Sequence, residues 1–117
     1  MYWPQIKQFQ IMSYPKRSYY VYIVTNIAKN VLYVGVTNSL ARRINEHYSG
    51  QIEGFTKKYN CKYLVFYEHY NDIEMAISRE KQIKKWGKAN KTKLIEKLNP
   101  DWKFMNDAVD GIERMYQ

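Results

Sequence analysis

Two strand-like segments stand only five residues apart, and that closeness limits the topology more than any other feature of the chain. Residues 18–25 (SYYVYIVT) and 31–36 (VLYVGV) are rich in the β-branched and aromatic types that suit a pleated sheet. The first is apolar on both faces, as a buried strand is. A parallel pair would need a crossover of about a dozen residues or more, so the short connection dictates an antiparallel hairpin. Pairing Thr25 with Asn30 sets Tyr22 opposite Tyr33 on one face. Gly35 follows on that same face, where a glycine marks the close approach of another group or relieves crowding. An odd-length turn or a bulge would put the two tyrosines on opposite faces.

Further along, the spacing predicts a helix over 40–48, capped by Asn38 or Ser39 and ended by Gly50. Arg43 and His47 are four apart on it and so lie on one flank. Residues 49–61 read as a loop carrying Lys57 and Lys58, and 62–70 (KYLVFYEHY) as a third strand. Asn71 with Glu74 has capping-box spacing and opens a helix to about Trp86, stopped by Gly87. Asn90 caps one more short helix that ends before Asn99-Pro100. The resulting division is an N-terminal extension (1–17), one domain (18–103) and a C-terminal tail (104–117).

Composition narrows the class. The chain has 117 residues, 45% hydrophobic and 16% aromatic, which excludes a disordered basic tail. One cysteine, Cys61, excludes an intrachain disulfide, and with only His47 and His69 beside it a Cys/His zinc site is not expected. No apolar run approaches the ~20 residues of a membrane span, so no membrane partner is expected and the default compartment is the cytoplasm. Of the net charge of +8, residues 79–103 carry +6 (nine bases, three acids). Such a concentration is either a footprint for a polyanion or a solvated helix face.

One acid stands out. Ile73, Ala76, Ile77 and Ile83 form an apolar stripe, and Glu80 falls on it. A carboxylate so placed needs a partner. It pairs with Arg43, or sits at a rim in reach of water, or binds a hard divalent cation.

The ordered set Tyr20-Val21-Tyr22, Tyr33-Val34-Gly35, Arg43, His47 and Glu80 resembles the GIY-YIG nuclease superfamily over about residues 18–103. The segment Asn99-Pro100-Asp101-Trp102 is similar to that of its small stand-alone bacterial members. The first motif begins with Tyr20 in place of glycine, and Asn90 lies near the family's late asparagine. The resemblance implies an α/β (α+β) fold, a small three-stranded antiparallel sheet flanked by helices. It also implies a metal-dependent endonuclease acting on DNA in preference to RNA, structure-selective or with a place in DNA repair or processing; an enzyme that prefers single strands or RNA is a further alternative.

Carried over residue by residue, it makes Tyr22, Tyr33, Arg43, His47 and Glu80 catalytic, with Gly35 structural in the second motif. Glu80 would hold Mg²⁺, for which Mn²⁺ can substitute, as Lewis acid. Arg43 would clamp the phosphate. Tyr22 would activate water, its phenol pKa lowered by Arg43 or the metal, with His47 and Tyr33 relaying the proton or ordering the water; the two tyrosines can exchange these roles. Lys57, Lys58, Lys84, Lys85 and Lys88 would hold the nucleic-acid backbone. The rival is a non-catalytic nucleic-acid-binding module on the same scaffold. The two differ in whether cleavage depends on Glu80.

Overall fold

The computed structural model describes residues 17–117; the extension expected over 1–17 otherwise lies outside the described residues. Three strands, β1 (Tyr19–Thr25), β2 (Leu32–Thr37) and β3 (Tyr63–Tyr70), form one antiparallel sheet in the order β2-β1-β3. The helices are α1 (Leu40–Tyr48), α2 (Phe55–Lys58), α3 (Ile73–Lys84), α4 (Lys88–Leu98) and, after a 3-10 turn at Asn106–Ala108, α5 (Val109–Met115). The expected fold class is the observed one.

Alternation along β1 divides the core into two layers. Tyr20, Tyr22 and Val24 point to one face and pack with Leu40 and Ile44 of α1, Leu64 of β3, and Val109 and Ile112 of α5. Val21 and Ile23 point to the other and pack with Ala76 and Ile83 of α3 and Ile95 of α4. The register of β1 with β3 shifts between Ile23, paired with Phe66, and Val24, paired with Leu64. The extra residue is Val65. The bulge lets consecutive Val65 and Phe66 both face the α3/α4 layer while Leu64 faces α1.

The hairpin register differs from the sequence expectation. Thr25 pairs with Leu32 instead of Asn30, and Tyr22 pairs with Gly35 instead of Tyr33. The cause is Asn26, whose side-chain oxygen accepts from the backbone amides of Asn30 and Val31 and holds a longer turn. Because the slip is two residues, every side chain keeps its face. Tyr22 and Tyr33 therefore share a face as diagonal neighbours.

Several boundaries also moved. The 49–61 loop contains α2. The N-cap of α3 is Asp72, which accepts from the amide of Glu74, in place of Asn71. Gly87 precedes α4, so Asn90 lies within its first turn and is exposed. Asn99 donates to the carbonyl of Val65 and bonds both backbone groups of Lys103, tying the end of α4 to β3. Residues 104–117, expected as a tail, carry the 3-10 turn and α5, and complete one core layer.

Candidate active site

Tyr22 enters the site because β1 turns its even-numbered residues toward α1. Its ring lies directly over Gly35: a Cβ built there would come within 2.4 Å of the phenol carbon and oxygen. The strand glycine thus makes room for a buried tyrosine, only 3% exposed. Its hydroxyl is 2.8 Å from His47 Nε2. His47 lies one turn after Arg43 on α1, and 4% exposed; its Nδ1 is buried with no hydrogen-bond partner. Arg43 leaves its Nε in the same state, and one terminal nitrogen is 3.5 Å from Glu46.

Burial governs the protonation of both partners. It pushes the Tyr22 phenol well above the ordinary range, with the neighbouring Tyr33 adding to the rise; Arg43 opposes it, and Glu80 and Glu46 reinforce it. Burial first, then the Arg43 charge, lowers His47 to about 4, with Glu46 opposing. Of the two cations expected to lower the tyrosine pKa, Arg43 acts in that direction, but desolvation outweighs it. At neutral pH the pair is a phenol and a neutral imidazole.

Glu80 comes from α3, the opposite layer, yet its charge is felt at Tyr22. Its side chain is 13% exposed and holds the Lys84 ammonium at 2.9 Å, one turn on. The expected bridge to Arg43 is replaced: Glu80 pairs with Lys84, and Arg43 with Glu46. The expected stripe is partial: Ala76 and Ile83 are buried, whereas Ile73 is exposed. Lys84 also stands 5.5 Å above the ring of Tyr33 on the edge strand β2, so the two layers meet at that edge. Its ammonium is thereby part of this cluster.

Of the other expected nucleic-acid contacts, Lys57 is paired with Glu53 at 2.9 Å, and Lys58 stands over the ring of Tyr59. Lys85 is exposed at the end of α3, and Lys88 donates to the Asn30 carbonyl in the hairpin turn. Trp86 and Trp102 pack against the α3/α4 core as anchors. Glu68 is half-buried and paired with Arg79 at 2.9 Å.

Sequence reasoning passed over Phe55, whose ring stacks on Tyr33 with centroids 6.2 Å apart. It also passed over Glu113, whose carboxylate accepts from the amide of Leu40 at the start of α1. Aromatics in a short glycine-containing loop gave no periodic signal for the first. The 73-residue separation hid the second.

The GIY-YIG catalytic domain family matches residues 18–93. The UPF0213 protein of Syntrophus aciditrophicus is 37% identical over 83 residues, covering 70% of this chain and 93% of the relative. That of Haloquadratum walsbyi is 35% identical over 78 residues, covering 67% and 86%. The solution NMR structure of a UPF0213 protein from Bacillus halodurans aligns with a TM-score of 0.49 at 26% identity, covering 73% of this chain and 89% of that one. On the strength of the family match over residues 18–93 and of these two sequence relatives, the chain belongs to the GIY-YIG nuclease family.

Proposed function

We propose that this chain is a divalent-metal-dependent endonuclease hydrolysing phosphodiester bonds in DNA, in a cytoplasmic repair or processing role. One observation carries the reading: a buried phenol hydrogen-bonded to a buried imidazole, with Arg43 one turn before His47 on the same helix and Lys84 joining Glu80 to Tyr33. Phosphodiester hydrolysis draws most of its rate from positioning and from fixed charges around the phosphoryl group.

Arg43 is the phosphate clamp. Its buried Nε has no partner, and a planar guanidinium presents its donors in the fork that phosphate oxygens accept. Tyr22 and His47 take the water proton together. In the tautomer with its proton on Nδ1, His47 accepts from the Tyr22 hydroxyl at Nε2, which leaves the phenol oxygen lone pairs for water. The proton leaving water reaches Tyr22 Oη as the phenol's own proton passes to His47. A free phenolate, which burial disfavours, is never needed. The approaching phosphate charge favours the imidazolium that results. Tyr33, beside the His47 ring, orders the attacking water.

The donor chemistry at Glu80 fits the cation that the family implies. The carboxylate is a hard oxygen donor, largely shielded from solvent, and Lys84 already stands on it as a cation. Among the described residues no group of three His, Cys, Asp or Glu could hold an ion. Glu80 would hold such an ion as a single protein carboxylate, which suits Mg²⁺ or Mn²⁺, and the chemistry supplied there would be Lewis-acid stabilisation of charge on the phosphoryl group.

The test is cleavage of supercoiled, linear, single-stranded and branched DNA with Mg²⁺ or Mn²⁺, beside Glu80→Ala. Cleavage that vanishes in the variant is the expected result. Binding without cleavage in either protein would assign the chain to non-catalytic recognition instead.

A further inference from the structure

The row of rings that begins in the buried site continues out to the surface. Tyr33 lies 5.9 Å from His47, Phe55 stacks on Tyr33, and Tyr59 follows Phe55 at 4.7 Å between centroids. Phe55 is 47% exposed and Tyr59 41%. Apolar side chains scattered singly over a surface are ordinary; rings in contact, exposed together and rimmed by cations, mark an interaction surface. Cations flank this row on both sides. Lys58 stands 5.4 Å over Tyr59 at its outer end, and Lys84 stands over Tyr33 at its inner end.

We propose that Phe55 and Tyr59 form a stacking wall for a nucleobase adjoining the scissile linkage, so that the strand bound here is unpaired at that nucleotide. The location beside Tyr33 rests on the nuclease reading. The chemistry of the occupant comes from the wall itself. Exposed ring faces bordered by ammonium groups match a ligand that alternates flat π-systems with phosphates, the arrangement proteins use for single strands. A base within an intact duplex has both faces covered by its neighbours and offers none to Phe55. A purely apolar protein partner would gain nothing from the lysines.

The wall is also held in shape before anything binds. Helix α2 is anchored by buried Thr56, whose carbonyl accepts from the amide of Cys61, itself buried. Gly54, at φ 104°, allows the chain to turn into this helix at an angle that side chains resist. A preformed platform binds without an ordering cost.

Binding measured in EDTA, where no metal-dependent cleavage occurs, tests the wall separately from the chemistry. Fluorescence anisotropy would compare a labelled single-stranded DNA, the same strand with abasic sites, and its duplex. The proteins are wild type, Phe55→Ala/Tyr59→Ala and the volume-conserving Phe55→Leu/Tyr59→Leu. Both positions are exposed, and thermal melting checks that each variant is folded. The wild type should favour the base-bearing strand over the abasic one, and both variants should lose about tenfold or more on it, in line with the loss of base–aromatic stacking. Affinity for abasic strand and duplex, which rests on the lysines, should change little. Variants that keep the wild-type preference for bases, or a wild type that binds the abasic strand equally well, would overturn the wall and leave the nuclease reading standing. A wild type that binds none of the three would overturn both.

Discussion

At the scale of single residues, Gly35 and His47 decide whether the site exists. The phenol ring of Tyr22 occupies the space that any side chain at 35 would need. Gly35→Ala must displace a buried ring that is hydrogen-bonded to His47, and overpacking of this kind costs about 1–3 kcal/mol. Chemical denaturation should show that loss; unchanged stability would mean that the ring moves freely and is not fixed by the strand. His47 makes a pH prediction. Its pKa is about 4 in the folded protein and ~6.5 in an unfolded chain. Between those values the unfolded chain binds a proton that the folded one does not. The stability from the neutral buried imidazole is present above about pH 6.5 and lost as the pH falls through about 4. The melting temperature of wild type should therefore drop across that window more steeply than that of His47→Gln. Parallel curves would place the acid sensitivity elsewhere.

At the scale of elements, α1 carries two of the site residues and begins without a side-chain cap of its own. Ser39 is in the N-cap position but its hydroxyl makes no capping bond; Glu113 of α5 takes that place, 2.8 Å from the Leu40 amide. A carboxylate at a helix N-terminus both satisfies a free amide and complements the dipole. Glu113→Ala should destabilise the protein by about 0.5–2 kcal/mol, the usual cost of a lost cap. A melting temperature equal to wild type would show that water replaces it. This contact also explains what the sequence could and could not disclose. Helix α1 was legible to its end residues because apolar spacing and Gly50 are local signals. Its cap was not, because the partner lies on another element. The hairpin was legible in kind and in which face each tyrosine takes, but its register depended on one asparagine folding back on the turn. The bulge at Val65 left no trace in a strand that is apolar along most of its buried length.

At the scale of the whole molecule, residues 104–117 belong to the core. Val109 and Ile112 are 4% and 7% exposed against the layer that holds Tyr22. A segment with net charge −2 that follows the matched motifs reads as a tail, and its packing against α1 shows otherwise. The same scale explains why Glu80 could be recognised but not placed. Its position on a mixed stripe was visible, but the meeting of two layers at the β2 edge, where Lys84 reaches both Glu80 and Tyr33, is a property of the assembled sheet. Catalysis by one unit drawn from both layers has a kinetic signature, since residues that act together lose their effects together. Single-turnover DNA cleavage by Tyr22→Phe, Glu80→Gln and the double variant, with saturating Mg²⁺, reads it directly. The double variant should be about as slow as the slower single one. Losses that multiply would show that the phenol and the carboxylate act independently, and a Glu80→Gln protein as fast as wild type would refute the site.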